Sequence, residues 1–112
     1  MKLSIRFLIG LSSSADASMV SSRDVRRAQM YRRRRAIDLL SRAYPCGSAF
    51  DGTGFWEGER EPSLCWEVLA DDVSSVRDYA ASLARELARA LDQEAIGLAF
   101  APTEYQEVPS GS

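Results

Sequence analysis

Between residues 49 and 70 the chain runs AFDGTGFWEGEREPSLCWEVLA. Two β-prone segments, residues 49–56 and 64–70, flank the polar stretch Glu57-Gly58-Glu59-Arg60-Glu61-Pro62, whose Gly and Pro predict a hairpin connection. Along 64–70 the alternation places Leu64, Trp66, Val68 and Ala70 on one face and Cys65, Glu67 and Leu69 on the other. A hairpin in the middle of a chain leaves its flanks to decide the class. Upstream, Leu3, Ile5, Phe7 and Ile9 alternate at period two and predict a strand over 2–9. A Ser-rich loop from Gly10 to Ser22 follows, and then an Arg-rich helix over about 23–43, capped by Ser21 or Ser22 and ended by Pro45 and Gly47. Downstream, Val76, Tyr79, Ala80, Leu83, Leu87, Ala90 and Leu91 recur at helical spacing from a start at Asp71 or Asp72. A last strand over 95–101, with Ile96, Leu98 and Phe100 on one face, ends at Pro102, and 105–108 adds a short edge segment.

The order is β-α-β-β-α-β, which predicts an α+β, ferredoxin-like sandwich: one antiparallel sheet with both helices on one face. The expected organisation is a single domain over 1–108 and a flexible tail over 109–112. Right-handed crossovers bring the Ser-rich loop, the hairpin and the turn Asp92-Gln93-Glu94 to one end of the sheet, beside the start of the first helix. The face away from the helices carries Ser4, Arg6, Leu8, Cys65, Glu67, Leu69, Ala95, Gly97 and Ala99. With nothing of its own to cover it, that face makes a homodimer the expected state.

A chain of 112 residues with 46% hydrophobic and 27% charged residues has globular composition, which excludes a disordered, collagen-like or membrane-spanning protein. It contains no His, which removes Ser–His and Cys–His catalysis and histidine metal sites. The net charge of −2 conceals a division. Residues 1–50 hold ten basic residues against three acids, +7, while residues 51–112 hold four against thirteen, −9. The start of the chain, with Lys2 and then apolar residues, superficially resembles a secretory leader. Arg6 and Ser4 interrupt it, so it reads as a strand of a cytoplasmic protein whose Cys46 and Cys65 are reduced thiols.

The basic half concentrates its charge on the first helix. Placed at 100° steps, Arg23, Arg27, Arg34, Arg35 and Arg42 fall opposite the stripe of Val25, Ala36, Leu39, Leu40 and Ala43. Arg32 and Arg33 fall at the stripe's margins and must snorkel or meet a carboxylate. Such a helix serves either as a solvated face that balances the acidic half or as an anion surface, its guanidinium forks matching phosphate or carboxylate. Ser12 and Ser13 lie in the loop at its N-terminal end. The expected ligand-binding set is therefore Ser12, Ser13, Arg23, Arg26, Arg27, Arg33, Trp56, Arg60 and Glu94, with Trp56 either core or a platform for a flat ligand. A long nucleic acid is not expected, because the pI is about 5.1 and only Tyr31 interleaves with the arginines. No GxGxxG or Walker pattern occurs.

Glu57, Glu59, Glu61 and Glu94 gather at the same end in this topology. They serve as solubilisers and arginine partners, or as general acid/base or metal-ligating carboxylates. Tyr44-Pro45-Cys46-Gly47, Gly54-Phe55-Trp56 and Arg60-Glu61-Pro62-Ser63 resemble a family of small uncharacterised bacterial and phage proteins with the pattern aromatic-Pro-x-Gly, Gly-x-Trp and Arg-Glu-Pro-Ser. The resemblance implies the ferredoxin-like fold and no particular activity, and by analogy a phage accessory or anti-defence role. The expected function is a non-enzymatic binding protein, without cofactor or metal, that captures an anionic small molecule such as a signalling nucleotide on the Arg-rich helix. Alternatives are an inhibitor that covers a host protein and a small metal-dependent hydrolase using the glutamates.

Overall fold

The computed structural model describes residues 1–111, apart from the side chain of Trp56. The elements are β1 (Lys2–Gly10), a 3-10 turn (Ser14–Ser18), α1 (Ser22–Ala43), β2 (Ser48–Trp56), β3 (Glu59–Asp71), α2 (Ser74–Ala90) and β4 (Gly97–Thr103). They form one antiparallel sheet in the order β2-β3-β1-β4, the expected ferredoxin-like arrangement. The core lies between sheet and helices. Leu3, Ile5, Phe7 and Ile9 of β1 and Leu64, Trp66 and Val68 of β3 bury against Ala36 and Leu40 of α1 and Ala80, Leu83, Ala84 and Leu87 of α2. Phe7, central in the sheet, meets the Tyr44 ring at 5.8 Å, and Tyr44 meets Tyr79 edge-on. Burial raises the Tyr44 hydroxyl to about 12.

Several boundaries differ from the expectation, each for a local reason. The hairpin connection is only Glu57 and Gly58, with φ of 50° and 81°. Two consecutive left-handed residues make the tight turn whose twist matches its strands, so β3 resumes at Glu59 and runs straight through Pro62. The Ser-rich loop is not structureless. Ser13 accepts from the Ala15 amide and the Asp16 carboxylate accepts from the Ser13 amide, a reciprocal cap that folds the 3-10 turn.

For α1 the Ser21 hydroxyl accepts from the Asp24 amide, so the first of the two expected caps is used. For α2 neither Asp71 nor Asp72 caps. Asp71 is the last residue of β3, opposite Lys2, and Val73 occupies the cap position. Pro102 does not stop β4, because the sheet edge does not need its missing N–H, and it pairs with Leu3. Residues 105–108 form no strand, and Ala95 lies before β4 rather than on the open face.

The β2–β3 hairpin outruns the rest of the sheet. Gly10, the last residue of β1, pairs with Ser63, and β4 begins lower still, opposite Leu8. Past Gly52 and Ser63 only two strands continue, through four further residue pairs to Trp56 and Glu59. At the rise of an extended strand, this ribbon projects by about 13 Å. The molecule measures 56 × 35 × 27 Å, and its radius of gyration of 15.8 Å exceeds the roughly 13 Å of a compact chain of this length.

Candidate functional site

The two sides of α1 behave differently. On its inner margin, Arg32 is buried and forks onto both oxygens of Asp16, at 2.6 and 2.9 Å, while donating to the Leu11 carbonyl at 2.8 Å. The hydrogen bonds from Arg32 hold the Asp16 carboxyl below the usual carboxylate range. Arg33, also expected to seek a carboxylate, forks onto Asp51 of β2 at 2.7 and 3.1 Å and lowers that carboxyl in turn. Lys2–Asp71 and Arg6–Glu67 likewise join the basic half of the sequence to the acidic half. The two charge blocks interleave in one sheet, and this accounts for part of the +7.

The outer side of α1 is what remains. Arg23, Arg26, Arg27 and Arg34 surround Met30 and Tyr31 in a shallow concavity of about 380 Å³. None of the four has an acid within ion-pair distance among the described residues. Three of the expected ligand-binding arginines thus lie together. Met30, Tyr31 and Arg34 lie outside the expected set, although the three- and four-residue spacing from Arg23 and Arg27 points to them.

The remaining expected residues divide between other places. The Ser12 hydroxyl accepts from Gln29, and its carbonyl accepts from Gln93. The Ser13 hydroxyl donates to Asp92. These contacts tie the loop to α1 and to the α2–β4 turn, and confirm that loop and turn share one end of the sheet. Arg33 belongs to Asp51 rather than to the concavity. Arg60 lies over the Phe55 ring at 5.8 Å, on the projecting ribbon. Glu94 is exposed, and the Trp56 side chain lies outside the described residues. Glu57 and Glu59 ride on the ribbon tip, while the Glu61 carboxylate lies against Gly10. Among the described residues no three His, Cys, Asp or Glu side chains gather as a metal-ligand set.

The open sheet face offers a second hollow, lined by Arg6, Phe50, Cys65 and Glu67. The register places Leu8 beside Cys65 and Phe50 across from it, all on the side without helices. Arg6 Nε lies 2.6 Å from Glu67, and burial raises the Cys65 thiol above its ordinary value, which favours the protonated form.

No protein-family model matches the chain, and no curated protein matches it by sequence. Among solved structures, a phage SAM lyase in complex with S-methyl-5'-thioadenosine is similar over 95% of this chain and 93% of that one, with a TM-score of 0.53 and 19% identity. A phage SAM lyase in its apo state is similar over 94% and 92%, with a TM-score of 0.47 and 18% identity. At this identity the likeness is one of fold. No helix is long and apolar enough to cross a membrane among the described residues.

Proposed function

We propose that this protein binds a small molecule built on adenosine, as an accessory protein of phage or bacterial type, with S-adenosylmethionine the first candidate. The observation that carries the reading is the match, across nearly the whole of both chains, to a phage SAM lyase holding S-methyl-5'-thioadenosine. The open sheet face supplies chemistry of the right kind. A purine stacks on an exposed ring such as Phe50, a sulfonium or ammonium group is drawn to a ring face or to the Glu67 carboxylate, and a carboxylate tail suits the Arg6 guanidinium.

The test is incubation with S-adenosylmethionine followed by mass spectrometry, alongside calorimetry with S-methyl-5'-thioadenosine. Release of S-methyl-5'-thioadenosine together with homoserine lactone, the product of the ligand's own carboxylate displacing the thioether, makes the protein a lyase when Glu67→Gln abolishes it. Binding without turnover makes it a binding protein of the same ligand class. The absence of both turnover and binding overturns the reading.

A second reading is favoured by one observation, the four arginines without acid partners around Tyr31. On it, α1 captures an anion, and among small molecules a nucleotide whose phosphate meets the guanidinium forks while its base lies on Tyr31. Thermal shift with AMP and cyclic nucleotides is the check, with loss on the double change Arg26→Ala, Arg27→Ala expected. No stabilisation by any of them removes a small anion as the ligand. An inhibitor covering a host protein would use the same surface.

A further inference from the structure

Beyond Pro62, whose carbonyl accepts from the Leu11 amide, the projecting ribbon has no backbone partner outside its own two strands among the described residues. A two-stranded hairpin is marginal in water, and a third strand or a packed layer is what normally stabilises one. Beyond Gly52 and Ser63 neither β1 nor β4 accompanies it. Phe55 is 68% exposed, and a Cβ added at Gly58 would meet nothing within 4 Å. The tip is acidic on balance, with Glu57 and Glu59 against one cation, Arg60, whose guanidinium lies over one side of the Phe55 ring.

The outer face of α1 has the opposite character and the same deficit. Its Arg23, Arg26, Arg27 and Arg34 lack carboxylate partners among the described residues, and Met30 and Tyr31 between them are 58% and 63% exposed. One chain therefore carries a projecting arm that is acidic on balance and bears an exposed apolar ring, and a basic hollow with an apolar floor.

We propose that the ribbon tip of one copy seats on the outer face of α1 of a second copy. The Glu57 and Glu59 carboxylates meet the guanidinium forks, and Phe55 covers Met30 and Tyr31. The inference rests on the reading of α1 as an anion surface and names its anion: the glutamates of another copy rather than a free phosphate. Such a contact joins two different patches, so it closes into a ring or a reciprocal pair rather than burying one patch against itself. Charge carries much of it, so it weakens with salt.

Light scattering on the eluting protein at tens of micromolar decides between the sources of the anion. The expected mass at low salt is a multiple of 12.4 kDa. Either Arg26→Glu with Arg27→Glu, or Glu57→Lys with Glu59→Lys, is expected to weaken association at least tenfold. Combining all four changes in one chain restores it, because the reversed arm then meets a reversed face. Circular dichroism confirms that each variant is folded, which is expected at exposed positions. A wild-type mass of 12.4 kDa, or an assembly that no reversal disturbs, overturns the proposal. If that monomer is stabilised by AMP, the small-anion reading of α1 survives alone. If it is not, both fall.

Discussion

Arg32 is the residue on which the loop between β1 and α1 depends. Its guanidinium and the Asp16 carboxylate are each only 10% exposed as side chains, and a third bond reaches the Leu11 carbonyl. Removing one partner strands the other's charge, at a cost of about 3 kcal/mol where the pair is fully enclosed. Asp16→Ala should therefore lower stability in denaturant titration far more than Asp51→Ala, whose carboxylate is 65% exposed and whose ion pair is worth little. The pH dependence has a definite sign. The Asp16 carboxyl is depressed in the folded protein, first by the hydrogen bonds from Arg32, so its contribution is complete above the unfolded value of about 3.9. It is lost as pH falls through the lower folded value. Melting temperatures measured downward from pH 5 should drop for the wild type, and Asp16→Asn should flatten that slope. A slope unchanged by the substitution would remove Asp16 from the account of acid sensitivity.

Among the elements, the joint between α1 and β2 is closely packed against the core. A Cβ at Gly47 would lie 2.8 Å from the Trp66 indole, and Trp66 is buried in the core. Gly47→Ala is thus overpacking, expected to cost about 1–3 kcal/mol and several degrees of melting temperature. Gly52→Ala is the comparison, since its nearest neighbour would be the Ser63 hydroxyl at an ordinary 3.6 Å, and its effect should stay within about 0.5 kcal/mol. Equal losses at the two positions would mean that the indole does not set the cost. The same joint shows what could be read in advance. Pro45 and Gly47 mark the end of a helix by their own backbone preferences, and period-two alternation in β1 and β3 is a local property, so element order and sheet were legible. Boundaries that depend on distant partners were not. Pro102 continues β4 because its edge faces outward, and Glu57 adopts a left-handed φ because Gly58 and the twist of the strands impose the turn. At the candidate site, the gathering of Arg23, Arg26 and Arg27 followed from helix geometry. The engagement of Arg33 by Asp51 was legible only as a need for some carboxylate, since the partner lies on another element.

For the molecule as a whole, the elongated shape follows from one element, the ribbon, and this separates what it does for folding from what it does for association. Leaving aside Trp56, whose side chain lies outside the described residues, residues 55–60 are exposed and contribute nothing to the described core, and the backbone bond from the Leu11 amide reaches Pro62, below them. Replacing these six residues by Asn-Gly would close the hairpin at the Gly54–Glu61 pair with a turn of the same kind. The shortened protein should keep its cooperative melt within a few degrees, because Phe55 and residues 57–60 are all exposed. Small-angle scattering at low concentration should show a radius of gyration nearer the roughly 13 Å of a compact chain. At the concentrations where the full chain associates, it should stay monomeric. Loss of the cooperative melt would mean instead that the ribbon is part of the folding unit. Its absence from the core would then be compensated by contacts along the β2 edge, and the outward reach of Glu57 and Glu59 would be a consequence of strand pairing rather than a provision for a partner.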